Sequence, residues 1–136
     1  MSFTSIRSKS ADHRLFLVAS TSLEVSCRTR RTSHGTEATV SVAGEVDAAN
    51  AKTFARAVRD AAESCSGVVL DLSEVPFLAF DGVSALYAIS AHLLREDAAW
   101  CVVASPAVSR VLKLCDPEGL IPLASGVPSL RGAEPA

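Results

Sequence analysis

Apolar positions recur at every second residue in two stretches of the first third of the chain. Leu23, Val25 and Cys27 alternate with Glu24, Ser26 and Arg28, and Val40, Val42, Gly44 and Val46 alternate with Thr39, Ser41, Ala43 and Glu45. A period of two sends successive side chains to opposite faces, so each stretch predicts a half-buried strand. Residues 31–37 (RTSHGTE) carry turn chemistry between them, and the pair predicts an antiparallel hairpin. Beyond Val46 the period lengthens. Asp47 can N-cap a helix starting near Ala48, whose apolar stripe is Phe54, Ala57, Val58, Ala61 and Cys65 and whose end is Gly67. Residues 68–72 (VVLDL) form the near-continuous apolar run of an inner parallel strand. Val83, Leu86, Tyr87, Ser90 and Leu94 mark a second helix that ends at Arg95, Glu96 and Asp97. Residues 100–104 (WCVVA) predict another buried strand. Ser105 then caps a third helix with Pro106 at its first position. Val108, Val111, Leu112 and Cys115 are its stripe, and residues 116–119 (DPEG) stop it. Residues 120–123 predict a short last strand and residues 127–130 a final helical turn.

The order β-β-α-β-α-β-α-β forces strands joined by single helices toward parallel pairing with right-handed crossovers. The expected fold is a small α/β domain over residues 22–131, led by a flexible or docking segment at 1–21. Within that segment the run at 15–19 (LFLVA) is either an extra strand or a patch that docks on the domain. Length fits one domain: 136 residues bury enough surface to fold without staples. With 49% hydrophobic but only 5% aromatic residues, the core must be aliphatic. The net charge of -2 argues against a nucleic-acid partner, which usually selects a basic excess. No stretch approaches the ~20 apolar residues of a membrane span, so a cytoplasmic protein with no membrane partner is expected. Cys27, Cys65, Cys101 and Cys115 form no CxxC pair and have no histidine at ligand spacing, so no metal site is expected. In a reducing compartment such thiols act as small buried hydrophobes.

Three segments together resemble the STAS family of anti-sigma factor antagonists. They are residues 44–49 (GEVDAA), residues 68–78 (VVLDLSEVPFL) and residues 82–86 (GVSAL). The resemblance covers roughly residues 22–130. It implies a right-handed β-α superhelix, a mostly parallel sheet with an N-terminal antiparallel hairpin strand, and helices mainly on one face. It also implies a function. Such proteins bind a kinase-type anti-sigma factor and so free a sigma factor. The kinase phosphorylates a serine at the start of the second helix, in a DSSG motif, and this breaks the complex. The contact surface so implied comprises Asp47, Ala48 and Asn50, with Ala79, Phe80, Asp81, Gly82, Val83 and Ser84. No cofactor is expected, and the chain is expected to be a monomer or weak homodimer.

The sequence departs from the motif where control would act. The four positions fall on Ala79, Phe80, Asp81 and Gly82, so Asp81 occupies the phosphoserine position and cannot be a serine-kinase substrate. Asp81 is expected to N-cap the second helix, for ~1 kcal/mol over alanine, with its charge at the positive end of the helix dipole. It is also a permanent negative charge where relatives carry a removable one of about -1.5 to -2. Either it mimics the phosphorylated state in part, or it marks a protein released from that control. Ser84, one turn on, is an alternative phosphosite. Phe80 either folds onto the core or stands out as a partner anchor. A Cys65–Cys101 disulfide is a second candidate control. Both cysteines lie near the starts of neighbouring strands roughly 4.8 Å apart, within the ~4.4–6.8 Å that disulfides span between Cα atoms.

Two other readings stay open. Strands 68–72 and 100–104 are apolar on both faces, so a face left bare by the helices would need the 15–19 run or another subunit, as in a scaffold or sensor subunit of a larger signalling assembly. A small nucleotide-binding module of the same family is the other. Catalysis is not expected. His13, His34 and His92 have no readable nucleophile or acid partner, and phosphate-loop and nucleophile-elbow motifs are absent. Asp47, Asp71 and Asp81 could gather at the strand ends, where capping and interface charge are their expected roles.

Overall fold

The computed structural model describes residues 2–3, 14–19 and 23–124. The helical turn expected at 127–130, and His13, lie outside the described residues. The two alternating stretches form β3 (Leu23–Thr32) and β4 (Gly35–Gly44), paired antiparallel from Leu23↔Gly44 to Thr32↔Gly35. Gly35 closes the turn at φ 123°, a backbone region that glycine adopts without strain. On the outer side of β3 lie β2 (Arg14–Ala19), antiparallel to it, and β1 (Ser2–Phe3), antiparallel to β2. On the other side β4 pairs in parallel with β5 (Gly67–Glu74), β5 with β6 (Ala99–Ala104), and β6 with β7 (Leu123–Ala124). The strands lie side by side in chain order, antiparallel up to β4 and parallel after it. Each of α1 (Ala51–Ala62), α2 (Phe80–Arg95) and α3 (Pro106–Cys115) joins one parallel strand to the next.

Alternation decides which face of the sheet the helices cover. Leu23, Val25 and Cys27 on β3, Ala38, Val40 and Val42 on β4, Val68, Leu70 and Leu72 on β5, and Val102 on β6 share one core. Phe54 and Val58 of α1, Leu86, Ile89 and Leu93 of α2, and Val108 and Leu112 of α3 pack into it. The largest of these side chains are fully buried, each stabilising the fold by about 1.5–3 kcal/mol. Val69 and Cys101, in register with each other, lie on the opposite face. The run at 15–19 extends the sheet edge as part of β2, so it does not cover that face.

Several expected boundaries move, among them the hairpin turn, which narrows from 31–37 to Ser33 and His34. The first helix starts at Ala51, not near Ala48, because Asp47 is held in a turn of its own, described below. It ends at Ala62; Ser64 takes a left-handed φ of 66°, and Gly67 instead opens β5. Along α2 the buried row is Val83, Leu86, Ile89 and Leu93, and Leu94 points to solvent. Leu93 and Leu94 fit the helical period almost equally, and contact with the sheet selects Leu93. The last strand is β7 at Leu123–Ala124 rather than residues 120–123.

Candidate functional site

The segment after β4 and the segment before α2 are far apart in sequence and stitched together by backbone. Val46 and Leu78 form a parallel bridge. The Val46 N–H donates to the Phe77 carbonyl at 3.0 Å, and the Ala79 N–H donates to the Val46 carbonyl at 2.9 Å. Val46 and Leu78 are both buried, so this bridge is an apolar anchor as well as a hydrogen-bonded one. Gly82 sits over it. A Cβ there would overlap Leu78 and lie 3.0 Å from a Val46 methyl, so α2 can settle this close only with glycine at that position.

The bridge places the Asp47–Asn50 turn beside the start of α2. Asp47 Oδ1 accepts from the Ala49 N–H at 3.0 Å and the Asn50 N–H at 3.3 Å. Asn50 answers: its Oδ1 accepts from the Asp47 N–H at 2.9 Å, and its Nδ2 donates to the Glu45 carbonyl at 2.9 Å. Asn50 is buried and ties β4's exit to the helix start; it is a structural member of the site. Ala48 and Ala49 are exposed between the two polar anchors.

Asp81 is exposed in the first turn of α2. It is not the cap: Ala79 holds that position, at φ -78° and ψ 170°, with no side-chain hydrogen bond to the helix. The Ala79–Val46 hydrogen bond fixes where the helix begins, two residues before Asp81. The carboxylate still stands at the positive end of the helix dipole. Phe80 points to solvent at 75% exposure and Phe77 at 49%, so the connection into α2 carries two exposed aromatic rings next to Asp81. Gly82 and Val83 are buried beneath it, and Ser84 is exposed one turn on. Of the nine expected contact residues, Asn50, Gly82 and Val83 therefore support the surface from below, and the others line or border it.

Between α1 and α2 runs a groove of about 350 Å³, which sequence reasoning missed. Ala51, Ala55, Ala85 and Ala88 are among its lining, with Lys52, Arg56 and Arg59 from α1 and Asp81 and Ser84 from α2. The three cations stand at i, i+4 and i+7, a helical spacing visible in the sequence once α1 is known.

The candidate Cys65–Cys101 bridge is not formed; both are free thiols. Cys65 packs against the helix-side core, whereas Cys101 belongs to the opposite face, so the sheet separates them. Strand spacing suggested contact, but side-chain alternation determines it. Burial and the nearby Cys65 thiol push the Cys27 thiol up to about 11. Burial also raises the Cys65 thiol, and burial followed by the Glu37 charge raises that of Cys101. Raised values mean little thiolate at neutral pH.

A buried polar junction elsewhere was equally unforeseen. Asp116, just past α3, accepts from the Leu120 and Ile121 N–H groups at 3.0 and 2.8 Å and from the Tyr87 hydroxyl at 2.9 Å. Burial pulls its carboxyl upward, but those three donors outweigh it and hold it below the usual range. At α3's other end Ser105 caps the helix as expected, accepting from the Val108 N–H at 3.1 Å and donating to the Val75 carbonyl at 2.6 Å. Among the described residues no cluster of three or more His, Cys, Asp or Glu side chains could hold a metal, and no helix is long and apolar enough to cross a membrane.

Comparison with known proteins agrees with this fold. The STAS domain family model matches residues 29–129. Osmosensory protein A of Mycobacterium tuberculosis is 34% identical over 98 residues, 69% of this chain and 62% of that protein, so the chain spans under two thirds of that relative. An anti-sigma factor antagonist from Mycobacterium paratuberculosis superposes with a TM-score of 0.60 at 30% identity, covering 78% of this chain and 87% of that one. The anti-sigma factor antagonist SpoIIAA in its unphosphorylated form superposes at 0.58 with 10% identity, over 74% and 88%, a likeness of fold alone. With the family model covering most of the chain and the same fold on its relatives, this protein belongs to the STAS domain family.

Proposed function

We propose that this chain is an anti-sigma factor antagonist: a binding module, not an enzyme, that engages a kinase-type anti-sigma factor and so releases a sigma factor. The observation that carries the reading is the Val46–Leu78 bridge, which presents the Asp47–Asn50 turn and the start of α2 as one surface. A solved relative at 30% identity is named for this activity. Exposed Phe80 and Phe77 supply the aromatic area that interface cores favour, and Asp81 supplies charge beside them. With a carboxylate at position 81, serine phosphorylation there is excluded, and a single permanent negative charge stands where a phosphoserine carries about -1.5 to -2, so it either mimics the phosphorylated state in part or marks a protein released from that control. Control through a Cys65–Cys101 bridge would require the sheet between the two thiols to open, so the reading rests on position 81.

The test is an affinity series by calorimetry: wild type, Asp81→Ser and Asp81→Ala against purified kinase-type anti-sigma factors from the same cell. Binding by the wild type to at least one, with the variants shifted, is expected. If none of these proteins binds any of the three, the chain is not such an antagonist. The 34% identity to a protein named for osmosensing favours one further reading, a sensor subunit of a larger assembly. That reading expects association to change with solute concentration at fixed ionic strength.

A further inference from the structure

The groove between α1 and α2 has a charge arrangement that the helices themselves do not favour. Lys52 and Arg56 are four residues apart and Arg56 and Arg59 three, spacings at which like charges repel along a helix. Lys52 also stands in the first turn of α1, where the dipole favours an anion, and that turn holds no acid. The ion pair found among the described residues, Arg30–Glu37, lies on the β3–β4 hairpin, so the row makes no close ion pair there, and Asp81 across the groove is the carboxylate in its lining. Opposite it the wall is low: Ser84, Ala85 and Ala88 leave the α2 backbone open to close approach.

We propose that this groove receives an acidic helical segment of a protein partner. The three cations span about 10 Å along α1, at 1.5 Å per residue. That is the spacing of carboxylates at i, i+4 and i+7 on a helix laid alongside, and is too long for one compact phosphate cluster to engage all three. Alanine and serine walls let a third helix approach within normal packing distance. Asp81 forms the far rim and faces the same space, so it repels the acidic segment and sets a ceiling on affinity. The inference rests on the antagonist reading only in naming the partner's surface; the groove itself is testable without any anti-sigma factor.

The probe is a blocked alanine-based helical peptide of roughly twenty residues, long enough to hold helicity, with glutamates at i, i+4 and i+7. It is titrated into the full-length 15N-labelled chain. Amide shifts are expected at Lys52, Ala55, Arg56, Arg59, Ser84 and Ala88, and should vanish in 0.5 M salt as the charges are screened. Arg56→Gln and Arg59→Gln should each weaken binding roughly three- to fivefold, the range of an exposed ion pair. Asp81→Asn should tighten it by a similar factor, and Arg110→Gln, on α3, should change nothing. Spectral dispersion checks that each variant is folded. The proposal is overturned if those amides do not move, if a glutamine-for-glutamate peptide binds as well, or if shifts fall elsewhere. It is likewise overturned if tripolyphosphate or a single-stranded oligonucleotide occupies the groove more tightly than the peptide. Peptide binding without any anti-sigma factor binding would remove the antagonist reading and keep the groove; the converse would do the opposite.

Discussion

Ala79 begins a sixteen-residue helix without a side-chain cap, although an acceptor there would satisfy one of the free amides of the first turn. Replacement by Asp or Ser should therefore stabilise the protein by ~1 kcal/mol, read as a higher urea midpoint at unchanged slope. An unaltered or lower midpoint would mean the backbone at 79 cannot present the oxygen to the second or third amide. Three residues on, the reverse holds. Gly82→Ala inserts a methyl against Leu78 and Val46, both buried, and should cost about 1–3 kcal/mol by overpacking. The same urea curves measure it, and a loss below half a kcal/mol would show that the bridge yields easily. Asp81 was legible as a charge at a helix start but not as a first-turn residue. What places the start at 79 is a hydrogen bond to Val46, thirty-three residues earlier, which no local pattern reports.

Secondary elements were most legible where the signal is local. The β3–β4 hairpin follows from alternation, and α3 follows from Ser105 and Pro106, whose cap and first-turn roles need only neighbouring backbone. Elements joined by distant polar contacts were not. Tyr87 and Asp116 are 29 residues apart, and their bond ties α2 to the turn that leads from α3 into β7. The folded Asp116 carboxyl is held below its usual range, so its contribution is complete above the unfolded value of about 4 and is lost as pH falls through the folded one. Asp116→Ala should cost about 1–3 kcal/mol at pH 7 by leaving the Leu120 and Ile121 amides without their acceptor. The difference in Tm between wild type and Asp116→Asn should be constant from pH 7 to 5 and shrink below pH 4. A difference that stays constant down to pH 3 would show that the charge on Asp116 contributes nothing.

At the scale of the whole molecule, order of elements was readable because single helices between apolar runs leave few topologies. Which side chains meet across the sheet was not, because a residue's face depends on a register that spacing leaves free by one position. That is why Cys65 and Cys101 seemed neighbours and lie on opposite sides. The run at 15–19 shows the same ambiguity: its hydrophobicity allowed docking on a face, and it instead lengthens an edge. β2 pairs with β3 from Arg14↔Arg28 to Ala19↔Glu24, covering hydrogen-bonding groups that would otherwise form an open edge. A chain lacking residues 1–20 would present the outer side of β3, an exposed edge of the kind that recruits a second strand. It should be less stable to urea and should elute from size exclusion as a dimer or larger, with the shift growing with concentration. A truncated chain that remains monomeric at every concentration, with stability unchanged, would mean that β2 is an ornament on the edge and that β3 protects itself through its charged residues Glu24, Arg28 and Arg30.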